Sequence, residues 1–268
     1  MLLRERLAGC IPDAALAKVP RRFDVIGTVA IIALPPEIAI FGEPIASAIM
    51  EHHHAVRTVL NKVSLVTGDC RTARYEILAG AETITQYREY GFAYEFDLRS
   101  TFFNPRLATE RYRVTRLVLS GERLLVPFCG AGPFVIPAAA QGARVHAIEN
   151  NPDACRWLAR NIRRNHVERH VTVIQDDATK ERSYPADPVD RAIIPAPFGL
   201  DSVFDLVAWH VRDGGTVHFY TFRINDEIPP LLALFRNKGF EPLFFRECGH
   251  VAPCVSRWVF DLKKCPGS

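Results

Sequence analysis

Three groups of small or acidic residues follow three apolar runs in the second half of the 268-residue sequence. The first is the glycine turn Phe128-Cys129-Gly130-Ala131-Gly132-Pro133-Phe134, the second is Glu149, and the third is Asp176-Asp177. Small residues let a ligand approach the backbone where a helix begins. A carboxylate at the next strand end can accept hydrogen bonds from both hydroxyls of a ribose, and a further carboxylate can accept one from an adenine amino group. The pattern therefore predicts a nucleoside site.

The glycine turn differs from a dinucleotide-binding turn. Glu149 stands 17 residues after Gly132, as in that fingerprint, but Val135 occupies the position of its third glycine. Pro133 has no amide hydrogen and is a poor choice for holding a pyrophosphate. A ligand without phosphate, such as S-adenosylmethionine, fits this turn better. The alternative is a turn that serves only tight packing of the helix on the sheet.

The elements that must position these groups alternate along residues 99–268. Apolar runs at 124–128, 145–148, 171–174, 192–194 and 216–222 read as strands, with helices at 134–141 and 153–165. Strands separated by helices indicate a doubly wound, mostly parallel α/β sheet of the Rossmann-like methyltransferase kind. Residues 1–98 read as a small α+β substrate-side domain, with a helix over residues 44–60 and short strands.

The composition is that of an ordinary globular protein. Hydrophobic residues make up 48% of the chain and the net charge is +3, so any nucleic-acid footprint must be local. No run reaches the ~18 apolar residues of a membrane span, and the N-terminus lacks a signal peptide's apolar segment. The seven cysteines form no Cys-x-x-Cys pair, and His52-His53-His54 has no accompanying ligands. We expect a cytoplasmic protein without metal or membrane contact.

Several motifs carry a family resemblance. They are Phe103-Asn104-Pro105-Arg106-Leu107-Ala108-Thr109-Glu110-Arg111, then Gly130 to Phe134, Glu149-Asn150-Asn151-Pro152 and Val217-His218-Phe219-Tyr220-Thr221-Phe222. From about Ile11 to Lys263 the sequence resembles the archaeal and eukaryotic tRNA guanine-N1 methyltransferases, which modify the purine 3′ of the anticodon. The related wybutosine-pathway aminocarboxypropyl transferases share the fold, but the Gly-Pro-Phe and Tyr-Thr-Phe stretches favour the methyltransferases.

The resemblance implies roles for individual residues. Glu110 matches the family's general base, Arg71 matches the arginine that stabilises negative charge on the base oxygen, and Arg106 matches an arginine of the same loop as Glu110. Glu149, Asn151 and Asp176 match cofactor contacts, with Asp177 as an alternative to Asp176. The remaining residues that the resemblance assigns to the S-adenosylmethionine site are Phe128, Gly130, Gly132, Phe134 and Pro195.

The sequence departs from the family's pattern at four places. Pro195-Ala196-Pro197 stands where the family has Asn-Leu-Pro, Phe102 replaces a tyrosine, and Pro127 replaces an acidic residue. The chain also begins where the linker to a tRNA-elbow domain would lie, which predicts that this domain is absent and that tRNA binding is weak.

A tRNA anticodon stem-loop is the partner that the resemblance implies, and we expect a monomer. Arginines 156, 160, 163, 164 and 169 fall on one predicted helix and its exit, where they could neutralise phosphates or form a solvated face. Three functions remain open: N1-methylation of guanosine in the anticodon loop, aminocarboxypropyl transfer to a tRNA purine, and a non-catalytic binding protein.

Overall fold

The computed structural model describes residues 3–64 and 73–267, in two compact units comprising residues 1–105 and 106–268. The boundary that the sequence predicts, between residues 98 and 99, stays a prediction. In the structure, the ring of Phe103 stacks on that of Phe96 with centroids 4.7 Å apart, and Phe103 is 8% exposed. This packing explains why the first compact unit extends past residue 98.

In its described residues, the first unit contains a mixed sheet, a hairpin and three α-helices. The helices are α1 (Leu3–Leu7), α2 (Asp13–Leu16) and α3 (Gly42–His52); the strands are β1 (Asp24–Ile26), β2 (Val29–Ile32), β3 (Thr58–Lys62), β4 (Tyr75–Ala79), β5 (Ile84–Glu89) and β6 (Phe92–Asp97). Strands β1-β2-β3-β4 form one sheet, in which β2 and β3 are parallel, and β5 and β6 form an antiparallel pair. Helix α3 buries its apolar face, including Ile45 and Ile49, in the core of this unit.

The helix that the sequence analysis assigned to residues 44–60 is wrong at its C-terminal end. Helix α3 ends at His52, and the chain then turns, with the amide of Val56 donating to the carbonyl oxygen of His53 at 2.7 Å. Thr58, Val59 and Leu60 lie in β3 and are fully buried. Consecutive buried residues that include β-branched side chains suit an interior strand flanked on both edges, which is the position of β3.

The second unit is a seven-stranded sheet with helices. The helices are α4 (Ala108–Thr115), α5 (Val135–Ala140), α6 (Pro152–Arg164), α7 (Val203–Trp209) and α8 (Ile228–Asn237); the strands are β7 (Arg123–Pro127), β8 (Arg144–Glu149), β9 (Val171–Gln175), β10 (Val189–Pro195), β11 (Val211–Arg223), β12 (Phe240–Ala252) and β13 (Val255–Lys264). The strand order is β12-β13-β11-β10-β7-β8-β9. Strands β7 to β11 are parallel and β13 is antiparallel to its neighbours, which confirms the predicted doubly wound, mostly parallel sheet.

The strand order creates a crevice next to β7. The chain runs outward from β7 through β8 to β9, and then returns to β10 on the other side of β7. In such sheets, ligands bind beyond the carboxyl ends of the strands at this reversal. The C-terminal hairpin of β12 and β13, to which the sequence analysis assigned no element, extends the sheet beyond β11. Of the helices in the described part of the chain, none could cross a membrane.

Candidate active site

The glycine turn and Glu149 are hydrogen-bonded to each other at the carboxyl edge of the sheet. Pro127 of β7 lies opposite Ile148 of β8, so the turn and Glu149 begin at the same level. The amide of Gly130 donates to Oε2 of Glu149 at 2.8 Å, and the amide of Asn151 donates to Oε1 at 2.9 Å. Burial raises the pKa of this carboxyl. Two backbone amides thus fix the Glu149 carboxylate at the end of β8.

The backbone of the turn adopts left-handed conformations at Phe128, Gly130 and Gly132, with φ of 55°, 56° and 94°. A Cβ at position 132 would lie 2.5 Å from Cδ1 of Leu158 on α6. Glycine is therefore required at 132 both by its backbone angle and by the packing of α6. The alternative to a ligand-binding turn, a turn that serves only tight packing of the helix, is therefore sufficient to explain Gly132.

Asn151 has a structural role at the start of α6. Its Oδ1 accepts hydrogen bonds from the amides of Asp153 and Ala154, at 3.0 and 3.4 Å, and Pro152 occupies the first helical position. These contacts cap the helix. The capping also fixes the amide of Asn151 that anchors Glu149. The role of Asn151 in cofactor contact stays a prediction.

The two aspartates at the end of β9 have different partners. Asp176 directly follows Gln175, which pairs with Glu149 across the strands. Arg182 donates to both carboxylate oxygens of Asp176, at 3.0 Å each, and this hydrogen bonding lowers the pKa of Asp176. Asp177 accepts from the amide and hydroxyl of Thr179 through Oδ1, at 2.9 and 2.8 Å. Which of the two aspartates contacts a ligand stays a prediction.

Glu110, on α4, is a buried carboxylate held by three side chains. It is 2% exposed. Arg113 donates to Oε1 through Nε and Nη2, at 2.9 and 2.6 Å, and the hydroxyl of Tyr220 donates to the same oxygen at 3.1 Å. The Nε of Arg246 lies 3.1 Å from Oε2. A buried carboxylate is tolerated only when paired and hydrogen-bonded in this way.

The contacts of Glu110 continue as a chain of paired charges along one face of the sheet. Arg113 donates to both oxygens of Asp261, at 2.6 and 3.0 Å, and Nδ1 of His218 lies 2.6 Å from Oδ1 of Asp261. Arg191 lies 2.8 Å from Nε2 of His218 and donates to both oxygens of Glu122, at 2.8 and 2.9 Å. Positive and negative groups alternate, so no buried charge is left without an opposite neighbour.

The protonation of His218 follows from its neighbours. A guanidinium can only donate, so Nε2 of His218 accepts from Arg191 and Nδ1 carries the hydrogen donated to Asp261. Burial lowers the pKa of His218, which agrees with this neutral form. Burial alone would raise the pKa of Asp261, but hydrogen bonds from His218 and Arg113 lower it to about 2.

Tyr220 connects Glu110 to the glycine turn. Its ring lies 5.4 Å from that of Phe134, centroid to centroid, and it pairs across the strands with Pro195 at the end of β10. Burial raises the pKa of Tyr220, which keeps the phenol neutral and able to donate. The carboxyl edge of strands β7, β8, β10 and β11 thus brings together five residues that the sequence predicted. Each lies on this edge or contacts a residue on it: Phe134, Gly130, Glu149, Pro195 and Glu110.

The structure does not test the roles predicted for two arginines. Arg106 is exposed, in the 3₁₀ turn Pro105–Leu107 just before α4. Arg71 lies outside the described residues. The roles of both stay predictions.

Comparison with protein families identifies the family to which the chain belongs. Residues 85–236 match the TRM5/TYW2 methyltransferase domain, and residues 3–83 match the TYW2 N-terminal domain. The chain belongs to the TRM5/TYW2 methyltransferase family. The resemblance in the motifs around Glu110 and the glycine turn is thereby confirmed.

Individual members of the TRM5/TYW2 family are similar to different extents. A tRNA (guanine(37)-N(1))-methyltransferase Trm5b of Pyrococcus abyssi is 35% identical over 79% of this chain, which spans 63% of that relative. A tRNA(Phe) (4-demethylwyosine(37)-C(7)) aminocarboxypropyltransferase of Pyrococcus horikoshii is 29% identical over 81% of this chain, and the match covers 77% of the length of that enzyme. The solved complex of aTrm5 and tRNALeu superimposes with a TM-score of 0.88 at 25% identity, covering 98% of this chain and 78% of that one. The chain thus spans less than two thirds of Trm5b.

Six residues of the charge chain were given no role from the sequence: Arg113, His218, Arg246, Asp261, Arg191 and Glu122. The contact of Arg113 with Glu110 could have been predicted, because side chains three residues apart on a helix are neighbours. His218 belongs to the motif used for the resemblance, but its environment depends on β13. Arg246 and Asp261 lie in the hairpin to which no element was assigned.

Two surface features of the sequence analysis have a clear location. The five arginines of α6 and the 3₁₀ turn after it are exposed. His52 ends α3, and its ring contacts that of His53. Among residues 3–64 and 73–267, no group of three or more His, Cys, Asp or Glu side chains is arranged to hold a metal ion.

Proposed function

We propose that this chain is an S-adenosylmethionine-dependent tRNA methyltransferase that methylates N1 of the guanosine 3′ of the anticodon. One observation carries the proposal: a buried carboxylate, Glu110, is fixed beside the glycine turn by Arg113 and by Tyr220, which contacts Phe134. Guanine N1 bears a proton that must leave before or during methylation, and a positioned carboxylate can accept it. The similarity to Trm5b supports the same reaction.

The residues at the sheet edge fit a nucleoside cofactor. Oε2 of Glu149 accepts from the amide of Gly130 and Oε1 from that of Asn151, and the remaining acceptor capacity of the carboxylate can receive hydrogen bonds from ribose hydroxyls. Asp177 offers Oδ2 to the amino group of an adenine. The cofactor would be surrounded by small or flat residues, namely Phe128, Gly130, Gly132 and Pro195. S-adenosylmethionine supplies an electrophilic methyl group when bound.

Glu110 acts on the proton through Oε2. Arg246 donates to this oxygen, and its side chain is 41% exposed, so it can rotate away when a base enters. The N1 hydrogen of guanine then donates to Oε2 and is transferred to it, and negative charge develops on O6. The displaced guanidinium of Arg246 can donate to O6 and stabilise that charge. Arg71 has this role in the family resemblance, and both arginines are kept as candidates.

Arg113 and Tyr220 position the carboxylate. Both donate to Oε1, so this oxygen stays fixed while Oε2 changes partner. Asp261 holds Arg113 from the other side with two hydrogen bonds. A carboxylate fixed at one oxygen keeps the other in a constant position relative to the glycine turn, which favours an oriented proton transfer.

The proposed partner is the anticodon stem-loop of a tRNA. The solved aTrm5–tRNALeu complex, which covers 98% of this chain, supports tRNA as the partner. The exposed arginines of α6 supply positive charge for phosphate contacts. The proposal includes a monomeric chain that acts in the cytoplasm.

A second candidate is aminocarboxypropyl transfer to a tRNA purine, in which the substrate attacks a different carbon of the same cofactor. Two observations favour it: residues 3–83 match the TYW2 N-terminal domain, and the chain spans 77% of the aminocarboxypropyltransferase of Pyrococcus horikoshii. The greater identity to Trm5b favours methylation.

Two labelled cofactors distinguish these reactions. The chain is incubated with unmodified tRNA and with S-adenosylmethionine labelled either in the methyl group or in the carboxyl group. Methylation transfers only the methyl label to the RNA, whereas aminocarboxypropyl transfer delivers only the carboxyl label. Transfer of the carboxyl label, or of neither, would refute the proposal.

A further inference from the structure

An aromatic cavity lies at the carboxyl ends of β10 and β11. It has a volume of about 230 Å³, and its lining includes Phe198, Asp201, Phe222, Arg223, Glu227 and Val255. The side chain of Phe198, three residues beyond the end of β10, is 67% exposed, and its ring contacts that of Phe222 edge to face at 5.6 Å. The two rings form a continuous apolar surface that is rimmed by Asp201, Arg223 and Glu227, and an apolar patch with a polar rim is typical of a binding surface.

Two side chains that line this cavity, Phe222 and Asp201, are held by neighbouring residues. Phe222 is 9% exposed, and the guanidinium of Arg257 lies 4.6 Å from its ring centroid. Asp201 is fixed at both oxygens, because Thr221 donates to Oδ1 and Arg223 pairs with Oδ2, each at 2.6 Å. The cavity thus combines a fixed aromatic floor, an open aromatic side and a carboxylate held in one orientation.

The cavity lies on the substrate side of the crevice. The groups expected to hold the cofactor follow β7, β8 and β9, whereas the cavity follows β10 and β11 on the other side of the reversal. Strand β11 is two strand spacings, about 10 Å, from β7. Phe222 lies two residues, about 7 Å, beyond Tyr220, which is level with the end of β10.

These dimensions separate the cavity from the reacting atoms. A methyl-accepting nitrogen must come within about 3–3.5 Å of the methyl carbon. By these strand spacings the cavity lies on the order of 12 Å from the end of β7, which is too far for the base that reacts. A neighbouring nucleotide of a single strand can span this gap.

We propose that the Phe198 ring stacks on an unpaired base adjacent to the methylated nucleotide of the substrate RNA. This inference rests on the proposed function. Aromatic side chains bind single-stranded bases by stacking, with little dependence on sequence. Asp201 accepts a hydrogen bond from a base N–H, and Arg223 and Arg257 bring positive charge near the phosphates.

The test measures binding of a fluorescently labelled anticodon stem-loop by polarisation, in the presence of S-adenosylhomocysteine. We expect Phe198→Ala to weaken binding by about 5- to 100-fold, the range for loss of one stacked base. Phe198→Trp should keep the affinity, and Phe198→Leu should lose it, since leucine preserves apolar contact without a flat face. Phe198 is exposed, so these variants are expected to fold.

Two controls separate stacking from general effects. Trp209→Ala removes another exposed aromatic side chain, 78% accessible, at the end of α7 next to the start of β11 and therefore at the opposite edge of the sheet. It should leave RNA affinity unchanged. A stem-loop with an abasic site beside the target should bind the wild-type chain more weakly, but should bind Phe198→Ala as well as the intact stem-loop does.

The outcomes distinguish this inference from the proposed function. If the wild-type chain methylates RNA while Phe198→Ala binds both stem-loops like the wild type, the stacking inference is wrong and the function stands. A second contrary outcome is that Phe198→Ala weakens binding of the abasic stem-loop by the same factor as binding of the intact stem-loop. In that case Phe198 acts without stacking, and the inference is again wrong. If the wild-type chain binds no stem-loop, both are wrong.

Discussion

Arg246 of β12 donates to Oε2 of Glu110, with Nε 3.1 Å from this oxygen, although the two residues are 136 positions apart in the chain. Glu110 is 2% exposed and the Arg246 side chain is 41% exposed, so the guanidinium lies on the solvent side of the carboxylate. A proton donor that approaches Oε2 must replace this contact. The pair therefore couples access to the proposed base with the movement of one cationic side chain.

Replacing Arg246 tests whether it stabilises charge or only blocks Glu110. We expect Arg246→Ala to lower turnover by about 10²- to 10³-fold, as for loss of one donor to a developing oxyanion. Arg246→Lys should recover part of this loss, and the affinity for S-adenosylmethionine, measured by calorimetry, should not change. A higher turnover in Arg246→Ala would mean that Arg246 only obstructs the carboxylate.

Glu110→Gln should remove the proton acceptor while keeping the shape of the side chain. Turnover on tRNA should fall by about 10²- to 10⁴-fold, the range for a lost general base. Cofactor affinity should stay within a factor of about two, since Glu110 contacts Arg113, Tyr220 and Arg246 rather than Glu149.

Thermal unfolding of Glu110→Gln is the control, because the substitution also breaks buried ion pairs and weakens the fold. Activity is therefore compared at a temperature where both proteins are folded. Unchanged turnover there would assign the base to another residue.

Gly132→Ala should destabilise the second unit more than Gly121→Ala does. Both glycines have left-handed backbones, with φ of 94° and 85°, so each alanine adds a similar strain of about 1–2 kcal/mol. Only at 132 does the new Cβ meet a side chain, Cδ1 of Leu158 at 2.5 Å, whereas no atom lies within 4 Å at 121. We expect the free energy of unfolding, measured with urea, to fall by about 1–3 kcal/mol more for Gly132→Ala. Equal losses would mean that α6 moves aside at no cost.

His218 should make the stability of the second unit depend on pH. Burial lowers its pKa in the folded chain, so below pH 6.5 the unfolded chain binds a proton that the folded chain does not. The free energy of unfolding should therefore fall as the pH drops below 6.5, with a slope from this group of at most about 1.4 kcal/mol per pH unit. In His218→Gln, whose amide can replace both hydrogen bonds, this part of the slope should disappear. Identical slopes in both proteins would contradict the neutral His218.

The glycine turn, the position of Glu149 and the alternation of strands and helices could be predicted because the sequence patterns that indicate them are local. Each strand end is followed within a few residues by the group it positions, and parallel strands bring these ends to one edge. The helix predicted over residues 44–60 is too long because apolar residues resume soon after the polar run 51–54, at Ala55 and Val56, and no glycine or proline separates α3 from β3.

The partners of Glu110 other than Arg113 could not be predicted, because they depend on strand register. Asp261 meets His218 only because β11 and β13 pair antiparallel in one register, and Arg246 reaches Glu110 from a strand whose pairing shifts at several bulges. Neither the register nor the bulges have a local sequence signal. The contact between Arg113 and Asp261, 148 positions apart, has the same origin.

The central claim, N1-methylation of guanosine in the anticodon loop, is tested most directly by mass spectrometry of the tRNA nucleosides. Unmodified tRNA is incubated with the chain and S-adenosylmethionine, digested to nucleosides and compared with a reaction of Glu110→Gln. We predict that 1-methylguanosine accumulates at the position 3′ of the anticodon and is strongly reduced with the variant. An aminocarboxypropyl adduct at that position, a methyl group on another nucleoside, or an unmodified tRNA would contradict the account.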